Sequence, residues 1–278
     1  MPTHDYNYCE LLARVLRDGD LVENRTGTDT YSLLGVQQTY NIHRDGFPVL
    51  TSKLVRWKSA LAEMLWFISG ECDTLDGLGK YKKLWEPWAD EHGGLGPIYG
   101  VQWRNWQGHE QADVTDQLSD VIEQIKSGST SRRLIVTAWR PDEISAMSLP
   151  PCHVMFQFTV RAGFLHLQLY QRSCDLPIGG PFNVAQYSML LAMVAKLANL
   201  KPGSFIHSIH DVHIYVNQVD GVKAWIKQYM NRSGYAVMRQ SPKLVIHGAQ
   251  QSIDDFKFED FELEGYGHCG RIKLPLAV

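Results

Sequence analysis

Residues 153–160 (HVMFQFTV) and 164–170 (FLHLQLY) are two short runs of aromatic and β-branched residues, partly alternating with polar ones. That is the pattern of strands with one buried face. Residues 133–139 (RLIVTAW) read the same way and supply a third strand. Next comes 183–200 (NVAQYSMLLAMVAKLANL), apolar on nearly every side, as a long buried helix is. Residues 205–216 (FIHSIHDVHIYV) then begin as a strand, and 244–247 form another. On the other side, residues 59–68 (SALAEMLWFI) read as a strongly apolar helix with one acid, Glu63, in its middle. Residues 5–17 put Tyr8, Leu11, Leu12, Val15 and Leu16 on one helical face, closed by Gly19. A hairpin-like stretch covers 28–40, and 113–126 repeats helical spacing at Val114, Leu118, Val121, Ile122 and Ile125. Helices and strands mix without a regular βαβ rhythm, which predicts an α+β fold with a mixed or mainly antiparallel sheet. No repeat, low-complexity tract or linker divides the chain, so a single domain over 1–278 is expected.

The chain has 278 residues, with 27 Lys+Arg against 30 Asp+Glu, a formal charge of −3. At 44% hydrophobic and 21% charged residues it can bury a full core. The balanced charge, without a block of one sign, argues against a nucleic-acid binder, which needs a basic face. It leaves room for a small anion held by a few arginines. No apolar run approaches the ~18 residues of a membrane span. The opening MPTHDYNYCE lacks the basic and apolar regions of a secretory signal. Five scattered cysteines, Cys9, Cys72, Cys152, Cys174 and Cys269, read as reduced thiols in a cytoplasmic protein.

Cys152 follows Pro150-Pro151, which restrict the backbone just before a thiol that opens a strand. Most free cysteines are merely buried. A nucleophilic one needs positive charge nearby to favour its thiolate. Three arginine clusters are candidates: Arg25 within residues 24–28 (NRTGT), Arg132 and Arg133 after Ser131, and Arg172 between Gln171 and Ser173. Guanidinium forks and hydroxyls both donate to phosphate oxygens, although such arginines taken singly are more often solvated. Asn183, after Gly179-Gly180-Pro181-Phe182, reads as a helix N-cap. Its amide also offers a donor beside an acceptor, which suits a base edge. In an extended segment His207 and His213 share one face and His210 the other, so the three cannot converge on zinc, and no metal is expected. A carboxyl inside an apolar helix, Glu63, either closes a salt bridge or has a raised pKa and passes a proton.

Taken together, these segments resemble the thymidylate synthase family over nearly the whole chain. The blocks that carry the resemblance are 24–28 (NRTGT), 95–100 (LGPIYG), 150–153 (PPCH), 168–183 (QLYQRSCDLPIGGPFN), 211–215 (DVHIY), 258–266 (FEDFELEGY) and 275–278 (PLAV). The resemblance implies a three-layer α+β fold whose mixed, mainly antiparallel sheet forms the face of an obligate homodimer. It implies transfer of a one-carbon unit from 5,10-methylenetetrahydrofolate to C5 of dUMP, giving dTMP and dihydrofolate. Carried over by position, Cys152 adds to uracil C6, and Asn183 reads N3–H and O4. Glu63, Tyr99 and His153 order water and relay the C5 proton. Arg25, Gln171, Arg172 and Ser173 hold the nucleotide, with Arg132 and Arg133 donated by the partner subunit. His213 and Tyr215 bind the ribose. Asp175, Trp85, Trp88, Gly179, Phe182 and Val278 contact folate, Asp175 also bordering the nucleotide, and Lys53 meets the glutamate tail.

Departures from the family pattern bear on the product. His210 and Ile209 stand where glycines are usual, Arg140 where asparagine is, Gln186 where serine is, and Gln218 where histidine is. Pro87, Pro177 and residues 267–270 (GHCG) are also atypical. A large imidazole at 210, beside the pyrimidine, would be placed to move ordered water. Water reaching the C5 methylene gives 5-hydroxymethyl-dUMP and tetrahydrofolate in place of dTMP, so a dUMP hydroxymethylase of the virus-encoded kind is the alternative. A dCMP-modifying relative is disfavoured, because cytosine-specific relatives tend to carry Asp at the position of Asn183. A silent nucleotide- or RNA-binding relative is disfavoured by Cys152 and the arginines.

Overall fold

A computed structural model describes residues 3–24, 26–108, 113–230 and 241–276. The chain begins with α1 (Thr3–Asp18), β1 (Asp20–Val22), β2 (Thr30–Asn41), α2 (Ile42–Asp45) and α3 (Trp57–Ser69). It continues through α4 (Tyr99–Arg104), β3 (Trp106–Gln107), β4 (Val114–Thr115), α5 (Gln117–Lys126) and β5 (Ile135–Thr137). Then follow β6 (His153–Arg161), β7 (Phe164–Asp175), α6 (Gly179–Leu197), β8 (Lys201–Tyr215), α7 (Val219–Met230), β9 (Lys243–Ile246) and β10 (Phe261–Glu264).

Six strands form one sheet in the order β1-β2-β8-β7-β6-β5. Every neighbouring pair is antiparallel except β7 and β8. The exception follows from α6, which carries the chain from the end of β7 back to the start of β8, as a parallel crossover must. At the β6–β7 hairpin, Ala162 and Gly163 have φ of 48° and 80°. Positive φ at both central residues matches the twist of a two-residue hairpin.

Side chains alternate along strands, so the register sorts the sheet into two faces. One face carries the rows Val136, Phe156, Leu169, His207, Gln38 and Phe158, Leu167, Phe205, Tyr40. It is packed against α6, where Tyr187 stacks on Phe205 at 6.1 Å. The helix is buried nearly all round and lies between this face and α3. The other face carries Ile135, Gln157, Gln168, Ile206, Thr39 and, beside them, Thr137, Met155, Tyr170, Ser208, Gln37. Those two rows hold no charged side chain.

Several sequence-based boundaries shift. The helix expected from Asn183 begins at Gly179, because Pro181 suits a first turn in which no N–H finds a helical partner. Asn183 is therefore not an N-cap; it lies inside the helix. Gly180 is needed there, since a Cβ would come within 2.1 Å of the Tyr8 hydroxyl. The helix expected from residue 113 begins at Gln117, where Asp116 accepts from the Ser119 N–H at 2.9 Å. The strand expected to end at 170 runs to Asp175, because Ser173, Cys174 and Asp175 pair with Asp211, Val212 and His213. His210 is exposed, while its neighbour Ile209 is buried on the α6 side. The imidazole thus points away from the face that carries Gln171 and His207, so the register lends no support to the expectation that it flanks the pyrimidine.

Candidate active site

Cys152 lies where the loop from β5 enters β6, and its backbone is held from several directions. The Arg172 guanidinium on β7 donates through Nε to the Pro151 carbonyl at 3.0 Å and through Nη2 to that of Pro150 at 2.7 Å. The Arg172 N–H donates to the Cys152 carbonyl at 2.9 Å, and the Cys152 N–H donates to the Tyr99 hydroxyl oxygen at 2.9 Å. Tyr99 opens α4, pressed so closely on α3 that a Cβ at Gly100 would meet the Phe67 carbonyl at 1.9 Å. Cys152 is partly exposed, whereas Cys9, Cys72 and Cys174 are buried. Burial pushes those three thiols up, Cys72 to about 12, so they stay protonated at neutral pH.

Behind Cys152 runs a buried polar seam. Glu63, on α3, accepts from the Trp85 indole N–H and from Gln186 Nε2, each at 2.5 Å. Both partners are neutral, so the salt-bridge alternative is replaced by hydrogen bonding, and burial raises the carboxyl pKa to about 7. Gln186 Oε1 accepts from Asn183 Nδ2 at 3.3 Å, and Asn183 Oδ1 accepts from Gln171 Nε2 at 3.1 Å. Gln171 also bonds the His207 ring at 2.7 Å. Burial lowers His207 to about 3 and His153 to about 4, the latter opposed by a hydrogen bond to Asn183. His153 packs against Tyr99 at 5.3 Å and Tyr187 at 5.1 Å.

The end of β7 and β8 supplies further groups. His213 Nδ1 bonds Asp211 at 2.8 Å, and its ring meets that of Tyr215 edge-on at 5.3 Å. Asp175 accepts from the Ile178 N–H at 3.1 Å and from Gln218 Nε2 at 3.0 Å, and burial raises its pKa. Gln218 Nε2 reaches the Pro275 carbonyl as well, at 3.1 Å, which ties the C-terminal segment to Asp175. Trp85 is buried, with Trp88 edge-on to it at 5.7 Å. Trp88 and Phe182 both keep partly open aromatic surface, with Gly179 a turn before Phe182. Lys53, expected to meet the folate tail, already has partners within the chain. Its ammonium is buried, donates to the Pro177 carbonyl at 2.6 Å and lies 4.7 Å over the Trp225 ring.

The arginines divide. Arg172 clamps the backbone around Cys152, but Arg132 and Arg133 are exposed in the turn before β5. The Arg132 carbonyl accepts from Gln157 at 2.8 Å. Gln157 is five residues along β6 from Cys152, about 16 Å at the rise of an extended chain. These two arginines are therefore not brought to the Cys152 of their own chain. Arg25 and Val278 lie outside the described residues. Among the described residues, no group of three His, Cys, Asp or Glu side chains is placed to hold a metal ion, and no helix is long and apolar enough to cross a membrane.

A partly exposed thiol whose backbone is clamped by an arginine thus lies near a buried amide and a carboxyl of pKa about 7. The family model for thymidylate synthase matches residues 6–278. The chain belongs to the thymidylate synthase family. Membership carries folate-dependent one-carbon transfer to C5 of a pyrimidine nucleotide, with dUMP and methylenetetrahydrofolate as the substrates the family implies. Sequence reading placed Cys152, Tyr99, His153, Asn183 and Arg172 in one site, and the structure brings them together. It did not anticipate Gln186 and His207 as links in the seam, nor the grip of Arg172 on two proline carbonyls. Gln186 was visible only as a departure from the family's serine.

Proposed function

We propose that this chain is a thymidylate synthase, converting dUMP and 5,10-methylenetetrahydrofolate to dTMP and dihydrofolate through a covalent Cys152 adduct. The observation that carries the reading is the thiol, fixed in place by Arg172 and Tyr99 and backed by the seam from Asn183 to Glu63. Uracil C6 is a poor electrophile, and addition of a soft sulfur nucleophile splits one hard alkylation into easier stages. Sulfur bonds to C6, the ring electrons move to C5, and C5 becomes able to attack a one-carbon electrophile. Asn183 reads the N3–H and the C4 carbonyl, and Arg172 with Ser173 faces the 5′-phosphate. His213 and Tyr215 take the ribose, and Asp211 orients the His213 imidazole. With a pKa near neutrality, Glu63 is suited to relay the C5 proton. The folate supplies the one-carbon unit and the hydride. Trp85, Trp88, Phe182, Gly179 and Asp175 fit it as an aromatic surface ending in a polar group. Indole surface beside the reacting carbon disfavours water there, which supports hydride transfer to the methylene and hence the methyl product.

The active unit is a homodimer formed across the sheet face with the two uncharged rows. Supporting this, Arg132 and Arg133 sit at the edge of that face, too far from their own Cys152 to serve it, and suited to the phosphate of the other copy. A single catalytic domain working in the cytoplasm completes the reading. Incubating protein, dUMP and methylenetetrahydrofolate and weighing the nucleotide by mass spectrometry tests it. An added CH2 with dihydrofolate formation is expected. A net gain of CH2O without dihydrofolate would instead establish the hydroxymethylase, and no covalent complex with 5-fluoro-dUMP and folate would reject both.

A further inference from the structure

An amide has nearly the same shape with its oxygen and nitrogen exchanged, so its polarity is set by its partners. The partners of Asn183 set it from two directions. On one side the Ser173 backbone carbonyl can only accept, so Gln171 must turn Nε2 toward it, at 2.9 Å. The same Nε2 donates to Asn183 Oδ1 at 3.1 Å, which leaves Gln171 Oε1 for the His207 ring at 2.7 Å. On the other side Glu63, in the ionised form it takes above its pKa of about 7, can only accept, so Gln186 turns Nε2 toward it at 2.5 Å. Gln186 Oε1 is thereby presented to Asn183 Nδ2 at 3.3 Å. Both ends demand one sense of Asn183: oxygen toward Gln171, NH2 toward Gln186.

We infer that Gln186 is a positioning residue for substrate choice: by spanning from Glu63 to Asn183 it locks the base-reading amide in the sense that matches uracil and opposes cytosine. This rests on the reading of Asn183 as the group that meets N3 and C4 of the ring. Cytosine exchanges the donor and acceptor at those two atoms, so it needs the amide turned over. Turned over, Asn183 sets its NH2 against the NH2 of Gln171 and its oxygen against Gln186 Oε1, two buried repulsive contacts. A serine at 186 imposes no such sense, because a hydroxyl rotates to donate or to accept. Gln186 is fully buried, has no free surface of its own and joins two groups from different elements, α3 and α6. One side chain thus links the proton-carrying carboxyl to the recognition of the base.

Calorimetric titration of the full chain with dUMP and with dCMP, without folate and above the Glu63 pKa of about 7, tests this. The parent protein is expected to prefer dUMP. In Gln186→Ser and Gln186→Met the preference should fall by about tenfold, the effect of losing one buried hydrogen bond that fixes the amide. In Gln186→Glu, titrated below neutral pH, a proton shared with Glu63 restores the donor, the other oxygen still accepts from Asn183, and the preference should return. A melting curve for each variant identifies any that fails to fold, and the serine variant carries the test if the methionine one does. Folded serine and methionine variants that keep the parent ratio within twofold would overturn the inference. So would an equal loss of affinity for both nucleotides, which marks a merely structural role. Should the parent itself show no preference for dUMP, the assignment of Asn183 fails first, and the proposed function with it.

Discussion

The two faces of the six-stranded sheet are built by the same strands and do opposite work. Toward α6, the rows are aromatic and aliphatic, interrupted by Gln171 and His207, whose polar atoms are satisfied through Asn183, Gln186 and Glu63. The other face has two central rows without charge, carries Tyr170 with two-fifths of its surface exposed, and joins Gln168, Ser208 and Gln37 in a ladder at 3.0 Å per bond. In the proposed reading, the amide that meets the ring, Asn183, is wired within the chain on the first face. Arg132 and Arg133, proposed for a phosphate, sit in the turn before β5, at the margin of the second. A buried polar seam is costly unless complete, so it must be finished inside one chain. Exposed arginines can be lent to another.

The sharpest break of this comparison is Cys152→Ala. Turnover should fall by at least about a thousandfold while dUMP affinity stays within about tenfold, because arginines hold the ground state; dihydrofolate absorbance and calorimetry measure the two. Next is Tyr170→Asp, which puts a charge in one of the uncharged rows. Sedimentation should show a monomer, with turnover reduced about a hundredfold as the borrowed arginines leave; a fully active monomer would remove the case for a shared site. Arg172→Lys keeps the charge but loses the fork on Pro150 and Pro151. A cost of about 1–3 kcal/mol in dUMP binding is expected, read as Kd, with a lower melting temperature because the Cys152 loop loses its clamp. Arg133→Ala should leave stability within about 0.5 kcal/mol. In a mixture with Cys152→Ala it should restore part of the activity that each lacks alone, through mixed dimers holding one intact site.

The smallest effect concerns acid. Burial holds His207 near 3 and His153 near 4 in the fold, whereas each takes a proton near its ordinary 6.5 once unfolded. Below that pH the unfolded chain binds more protons, so stability falls as pH drops toward those values. Glu63 works the other way. Held up to about 7 from 4.5, it keeps a proton that the unfolded chain has released, so stability falls as pH rises between those values and stays lowered above. His207→Gln removes one acid-sensitive group and keeps a donor to Gln171. Its acid-unfolding midpoint, followed by circular dichroism, should move down by about half a pH unit.

Much of this was legible along the chain. The hydrophobic periods of α1, α3 and α6 and the alternation of β6 and β7 are local signals, and local signals report which face of an element is apolar. Motif blocks pointed to Cys152, Asn183 and Arg172 because each lies within a few residues of its signature. Element ends were less legible: Pro181 and Asp116 decide where α6 and α5 begin, and they outweigh the hydrophobic period that extends past them or falls short.

From residues alone came the kind of fold, the family and the thiol. Only the packed chain decided that Asn183 is a link and not a cap, that His210 faces outward, that Lys53 donates to Pro177, and that Gln186 joins Glu63 on α3 to the Asn183 amide. The reason is physical. Periodicity and motif spacing are properties of neighbours in sequence, while the sense of a hydrogen bond and the face a histidine takes depend on strand register and helix packing, which bring together atoms more than a hundred residues apart.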